Sequence, residues 1–416
     1  MVKINCLGGF REVGCNGVLI EGKSENIMFE YGFKIDGAAS PKFPKSKPHA
    51  LFITHGHLDH HGSIPSLYKK LSFPVYGTAP TKDDVELLLK DSLKIARINK
   101  VSRDFSMRDV TKTMSNWKNL KYNQKIKIGK SVIEVYDAGH VPGSAMYVLN
   151  IDKKRILYTG DFKLDPTRIV DGANINLGRI DVALMETTYS SRDHPQRSKV
   201  EKELGDLVKK VLKKGGIVLL PTFALRAAEI LMVLTQQKVN APIYLDGMAK
   251  KATEIMMSHP EFIRNSFELK KTLSKVTNLN KTEDRNKAMN TPCVIVTTGG
   301  CMDGGPIVHY LKHLYARKDC ALIMTGFQIP KTAGRYLVDT GRYVTEELDL
   351  KIGMQMYQLD FSGHAGRTEL LRFVSKIRPK KVICMHGDYC QRFATELKGR
   401  FGIEAIAPKN GDVVNV

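Results

Sequence analysis

The eight residues His55-Gly56-His57-Leu58-Asp59-His60-His61-Gly62 constrain this chain more than any other feature of it. They follow directly on an apolar strand pattern over residues 50–54, so they leave a strand end as a short loop. Such a loop turns alternate side chains toward one point, and neutral imidazoles with a carboxylate are ligands for a zinc-type cation. With 12 histidines spread over 416 residues, a chance cluster of this density is improbable. His55, His57, Asp59 and His60 make half of a two-metal site, and other segments must supply the remainder. Asp137-Ala138-Gly139-His140 offers His140 on a Gly-rich turn between strands, and Tyr158-Thr159-Gly160-Asp161-Phe162 offers Asp161 at a strand end, where a carboxylate can bridge two cations. A further histidine, His386 in Cys384-Met385-His386-Gly387-Asp388, again follows an apolar strand.

The pattern along the chain changes near residue 190. Before it, short strands are expected at 2–7, 17–21, 27–31, 50–54, 132–137, 145–150, 155–159 and 182–186, with helical periodicity at 63–71 and 81–95. After it, helices at 199–214, 226–237 and 306–315 alternate with strands at 217–220, 243–245, 293–297 and 321–325, the mark of a parallel sheet with crossover helices. From residue 355 a strand, a helix at 367–377, a strand at 381–385 and a helix at 390–398, with Gly399 as its expected stop, close the chain.

Composition narrows the partners. With 64 Lys and Arg against 43 Asp and Glu, the formal charge is +21, which favours polyanions. Residues 187–345 hold 25 of the basic and 14 of the acidic side chains, so the middle of the chain carries much of the excess. The longest apolar stretch, 216–225, is too short to cross a bilayer and is broken by Pro221, and the N-terminus lacks a signal-peptide pattern. No membrane association and a cytoplasmic location are expected. Seven scattered cysteines without a C-x-x-C pair point to reduced thiols rather than a disulfide or zinc-ribbon framework.

The order H-x-H-x-D-H, H, D, H resembles that of the metallo-β-lactamase-fold hydrolases. The resemblance implies an α/β fold, an αββα sandwich with metals at one edge of the paired sheets. Carried over residue by residue, it implies that His55, His57 and His140 hold one zinc, that Asp59, His60 and His386 hold the other, and that Asp161 bridges them. Two segments narrow the resemblance: Met185-Glu186-Thr187-Thr188-Tyr189 and Phe361-Ser362-Gly363-His364-Ala365-Gly366 bracket nearly 200 residues of α/β pattern. With His386 they are similar to the three added motifs of the β-CASP nucleases, close to archaeal relatives of the pre-mRNA 3′-end-processing nuclease and of ribonuclease J. The implied domains are a first metallo-β-lactamase part at 1–190, an inserted α/β β-CASP domain at 191–350, and a last metallo-β-lactamase part at 351–416. Two positions depart from the family pattern: Glu30 stands where Asp is common, and Gly366 where relatives carry Asp or Ser.

The function implied is a zinc-dependent ribonuclease, with two zinc ions per chain, acting on single-stranded RNA. Zinc would activate water and neutralise the non-bridging oxygens, and the leaving ribose oxygen would need a general acid. By the match to the family, that acid is His364 with Glu186 as its carboxylate partner, and Asp59 is placed in the catalytic set as well. Ser362, Gly300 and Arg335 are the expected RNA contacts. Gly300 lies in a Gly-rich stretch, 299–306, that opens a helix with Pro306 near its start, and Arg335 offers a fork for phosphate. With no extra RNA-binding domain recognised to hold an internal site, 5′-to-3′ exonuclease action in RNA processing or decay is expected. Endonucleolytic cutting is the close alternative and a non-catalytic RNA-binding subunit the other. A homodimer or processing-complex partners complete the expectations.

Overall fold

The computed structural model describes residues 1–34, 39–98 and 100–416. The chain divides into two compact units, the first made of Met1–Pro166, Asp171–Asp193 and Gly363–Val416, the second of Thr167–Val170 and His194–Ser362.

The first unit begins with β1 (Lys3–Gly8), β2 (Gly17–Glu21), β3 (Asn26–Tyr31), β4 (Ala50–Phe52), β5 (Val75–Thr78) and β6 (Trp117–Leu120), which lie side by side in that order. A second sheet starts with β7 (Lys125–Ile128), β8 (Ser131–Asp137), β9 (Ala145–Ile151), β10 (Lys154–Tyr158) and β11 (Val182–Glu186). The central strands, such as β2, β3, β4 and β9, bury both faces, so their sequences read as near-continuous apolar runs rather than alternations. In β3, Ile27 and Phe29 join Ile4, Ile20 and Phe52 against Val135, Tyr147 and Tyr158 of the other sheet. Met28 and Tyr31 point the other way, onto Ile64, Leu67, Val85 and Leu89 of the covering helices. The second sheet is covered likewise by Leu370, Phe373, Phe393 and Leu397. This is the expected αββα sandwich. Burying each such large side chain contributes about 1.5–3 kcal/mol.

The second unit is a sheet built from β12 (Val218–Thr222), β13 (Ile243–Asp246), β14 (Val276–Asn278), β15 (Val294–Thr298) and β16 (Ala321–Met324), followed by the hairpin β17 (Arg342–Val344) and β18 (Asp349–Lys351), and then β19 (Gln355–Gln358). The six sheet strands run parallel in the order β14-β13-β15-β12-β16-β19, with apolar clusters on both faces. The insertion therefore extends past the expected boundary at residue 350. Gln355–Gln358 pairs in parallel with Ala321–Met324, which draws the chain into the second sheet as far as Ser362.

Returning to the first unit, β20 (Lys381–Met385) adds beside β11, β21 (Glu404–Ile406) beside β20, and β22 (Val413–Asn415) beside β1. The last helix, Cys390–Phe401, runs through Gly399 and stops at Gly402, whose φ of +65° supplies the left-handed cap. Gly399 was the expected stop, but it sits in open helix surface with nothing near its Cα, so it imposes no termination. All seven cysteines are free thiols, six of them buried. No helix among the described residues is long and apolar enough to cross a membrane.

One glycine ties the fold to the histidine loop. Gly32 follows β3, and a Cβ there would lie 1.8 Å from the Asp59 carbonyl oxygen and 2.5 Å from the His60 nitrogen. Gly32→Ala should therefore cost about 1–3 kcal/mol or more through overpacking. Gly399→Ala should gain up to about 1 kcal/mol of helix propensity. Thermal unfolding of the two variants should show a drop of several degrees for the first and no drop for the second.

Candidate metal centre

Every donor of the centre stands just past a strand end in the first unit. His55 and His57 follow β4, Asp59 and His60 lie on the helical turn Leu58–His61 directly after them, His140 lies between β8 and β9, Asp161 follows β10 and His386 follows β20, while Glu186, beside the donors, ends β11. The loops thus converge on one edge of the sandwich. His55 Nε2 is 2.9 Å from His57 Nδ1, which is 3.3 Å from His140 Nε2. Asp161 Oδ2 lies 3.5 Å from His55 Nε2 and 3.9 Å from His140 Nε2, and these four residues form one donor group. Asp59, His60 and His386 form a second: Asp59 Oδ2 is 3.5 Å from His60 Nε2 and 3.3 Å from His386 Nε2. Asp161 Oδ2 is also 3.2 Å from His60 Nε2, so its carboxylate reaches both groups.

Outer contacts decide which nitrogen faces inward on four of the five donor rings. His55 Nδ1 is 2.9 Å from the Thr54 hydroxyl, which donates to Glu30 Oε1. His60 Nδ1 meets Glu30 Oε2 at 2.8 Å, and the Tyr158 hydroxyl donates to the same oxygen at 2.7 Å. His140 Nδ1 donates to the Gly363 carbonyl at 2.8 Å. His386 Nδ1 contacts the Thr188 hydroxyl at 2.9 Å, and that hydroxyl donates to Glu186 Oε2 at 2.5 Å. With the outer nitrogens so occupied, the inner ones keep their lone pairs for a cation.

The residues fit a metal on two counts. Donor atoms about 3.3 Å apart suit a tetrahedral cation with bonds of about 2.0–2.1 Å. Asp161 Oδ1 is buried with no hydrogen-bond partner among the described residues, an arrangement costly for a carboxylate unless a cation serves it. The electrostatics agree. Burial, reinforced by neighbouring imidazoles, holds His55 and His140 well below the usual imidazole range and His57 at about 4, so these rings are neutral as ligation requires. Burial pushes Asp161 up, but His60, His386 and His364 outweigh it and leave its carboxyl well below the usual range.

His364 stands outside both donor groups. Its Nδ1 is 3.0 Å from Glu186 Oε2 and 3.2 Å from Oε1. Glu186 is buried and fixed by the Phe162 amide at 2.8 Å as well as by Thr188. Burial lowers the His364 pKa, but Glu186 and Asp161 more than reverse this and bring it to about 9. About a fifth of the His364 side chain is exposed, against 3% or less for His55, His60, His140, Asp161 and His386.

Three expected RNA contacts, Ser362, Gly300 and Arg335, lie in the second unit. The Ser362 carbonyl accepts from Arg197, and the Gly300 carbonyl accepts from Gln328 Nε2 at 2.9 Å. Arg335 donates from Nε to Asp339 at 2.9 Å, and its Nη2 pairs with the same carboxylate. Sequence reasoning gave no role to Thr188, Asn16 or Lys163. Asn16 Nδ2 lies 3.3 Å from His60 Nε2, and buried Lys163 donates to Glu369 Oε2 at 2.9 Å and to the His364 carbonyl at 3.2 Å. A lysine two residues after Asp161, between Phe162 and Leu164, was the available signal for the last of these.

Comparison with known proteins agrees with this geometry. A metallo-β-lactamase superfamily domain matches residues 40–189, a β-CASP domain 227–337, and a Zn-dependent metallo-hydrolase RNA specificity domain 349–408. A probable RNase of Methanocaldococcus jannaschii is 36% identical over 424 residues, spanning 98% of this chain and 99% of that protein. The chain belongs to the β-CASP family of metallo-β-lactamase-fold ribonucleases. As a member of that family it is a metal-dependent ribonuclease. The RNase aCSPSF2 of Saccharolobus solfataricus is 34% identical, over 99% of this chain and 85% of that one. The transcription termination factor FttA of Pyrococcus abyssi is 33% identical over all of this chain and 71% of its own length. A crystal structure of a protein of unknown function from Enterococcus faecalis shares the fold, with a TM-score of 0.63, 14% identity and 99% of both chains covered.

Glu30 supports both donor groups, directly at His60 and through Thr54 at His55. Glu30→Gln should keep the volume but lose the acceptor pair, weakening metal binding by about 10–100-fold. Chelator competition followed by elemental analysis checks this, with circular dichroism to show an intact fold.

Proposed function

We propose that the chain is a two-zinc ribonuclease of the cytoplasm that hydrolyses single-stranded RNA from the 5′ end, with His364 as general acid. One observation carries the reading of His364: its Nδ1 is held by the buried Glu186 carboxylate beside the two donor groups and belongs to neither, although with Asp161 and Glu186 it makes a further cluster of donors. His55, His57 and His140 would hold one zinc, Asp59, His60 and His386 the other, with Asp161 between them. When bound, zinc supplies Lewis acidity to the phosphodiester and to the attacking water.

The remaining work falls to side chains. Glu186 accepts a hydrogen bond from His364 Nδ1–H and favours the imidazolium, which leaves the Nε2 proton for the departing ribose oxygen. Thr188 and the Phe162 amide hold Glu186 still. Lys163 and the Phe162 carbonyl, which accepts from Ala365 at 2.7 Å, hold the two ends of the peptide group that joins His364 to Ala365. The RNase names of two full-length relatives support the substrate class. The 5′-to-3′ direction rests on the sequence resemblance alone.

Asp161→Ala should abolish RNA hydrolysis and lower the zinc content from about two per chain. His364→Ala should slow the chemical step by roughly a hundredfold or more with zinc unchanged, since a lost general acid costs about that much. Single-turnover kinetics with elemental analysis measure both, and zinc loss in His364→Ala would show a ligand instead of an acid. Matched linear RNAs with 5′-monophosphate, triphosphate and hydroxyl ends, digested beside a circular RNA, test direction. Release of 5′ mononucleotides is expected, and efficient cutting of the circle without it would establish endonucleolytic action.

A further inference from the structure

Four residues past Glu186, three past His364 and three past His386, the chain meets itself again around a small polar cavity of about 50 Å3. Its walls include Ser190, Arg367, Tyr389, Arg392 and Glu396, all of the first unit. The volume is several times the roughly 10–15 Å3 that one water needs and well below the roughly 300 Å3 of a whole-ligand pocket. It suits one small group.

Three independent features give the cavity a preference for an anion. The first is the helix Cys390–Phe401, which starts at this wall with no side-chain cap and no acidic residue in its first turn. Its leading amides therefore present the positive end of twelve aligned peptide dipoles. The second is charge. Glu396 is shared between Arg367, which is paired with its Oε1, and Arg400, 3.9 Å from the same oxygen. Arg392 pairs with no carboxylate among the described residues, so the cavity keeps a net positive charge. The third is Ser190, only 4% exposed, whose hydroxyl oxygen is buried and has no hydrogen-bond partner among the described residues.

The cavity is also continuous with the catalytic segments. Tyr189 bridges to Gly366, the Arg367 amide donates to the Arg192 carbonyl at 3.0 Å, and the Tyr189 ring lies 5.7 Å from that of His364. The cavity thus lies within three or four residues of chain from Glu186, His364 and His386.

We propose that the cavity is a phosphate subsite that seats one non-scissile phosphodiester of bound RNA against Arg392, the Ser190 hydroxyl and the first amides of the helix Cys390–Phe401. The proposal rests on the ribonuclease reading above and adds to it a fixed contact outside the metal centre. Such a contact sets the register of the strand without reading its bases.

The test is RNA binding by the full chain carrying Asp161→Ala, so that substrate survives, measured by fluorescence anisotropy over a salt series. Adding Arg392→Ala should weaken binding about three- to tenfold and lower the slope of log Kd against log salt by about 0.7, the value for one single-strand phosphate contact. Arg392→Lys should restore the slope. Ser190→Ala should weaken binding severalfold with the slope unchanged. Replacing phosphates one at a time with methylphosphonate should reveal one position where the neutral linkage costs the parent but costs Arg392→Ala nothing further. Equal melting temperatures establish that the variants are folded. Unchanged affinity and slope in Arg392→Ala, or additive losses at every methylphosphonate position, would overturn the subsite. So would a difference seen only in competition by inorganic phosphate, which would make the cavity a site for the free ion. Cleavage of the same RNA by the protein with Asp161 intact is followed in parallel, and its absence would count against the ribonuclease reading while the binding result stood.

Discussion

Crowding of unprotonated donors is the constraint on which the rest of the structure depends. Two ring nitrogens at 2.9 Å, His55 Nε2 and His57 Nδ1, with a third at 3.3 Å, direct lone pairs at one another in a place from which water is largely removed. Such an arrangement repels unless a cation lies among the donors, and it collapses into ordinary hydrogen bonds unless each ring is held from outside. The surroundings meet the second requirement for four of the five rings. Glu30 holds His60 and, through Thr54, His55; the Gly363 carbonyl holds His140; Thr188 holds His386.

Glu186 occupies a special position in this arrangement. Through its Oε2 it meets His364 directly and His386 by way of Thr188, so one buried carboxylate orients both the acid and a metal donor. The backbone is under matching constraint. Glu30 at φ +59° and His386 at φ +47° sit in the left-handed region, where a branched polar side chain is uncommon, at the ends of strands β3 and β20. That conformation ends each strand abruptly and turns the side chain inward over the sheet edge. The buried Lys163–Glu369 pair then joins the Asp161 loop to the His364 loop, with Glu369 also accepting from the Leu164, Asp165 and Gly366 amides.

Much of this was legible in the sequence where chemistry and periodicity coincide. The histidine loop, His140, Asp161 and His386 each follow an apolar run of strand length, and the structure brings all of them together. The alternating middle of the chain is a parallel sheet, as its helix–strand pattern implies. Less legible were elements that are short or polar. Strand β7, Lys125–Ile128, alternates lysine and isoleucine, and β14, Val276–Asn278, is three residues long and mostly exposed, so neither shows the continuous apolar run of its neighbours.

By itself the sequence determined which residue types can ligate a metal, that they lie beyond strand ends, and that a second α/β unit interrupts the first. These are local properties, set by side-chain chemistry and by the two- or 3.6-residue periods of strand and helix. Only the tertiary structure decided that Glu30 turns into the site on a left-handed residue, that Thr188 passes Glu186's influence to His386, and that Ser190, Arg367 and Arg392 enclose one cavity. Residues 190 and 392 are about 200 positions apart, and no local period relates them. Their meeting follows from the parallel pairing of β11 with β20, which brings the chain after Glu186 beside the chain after Met385.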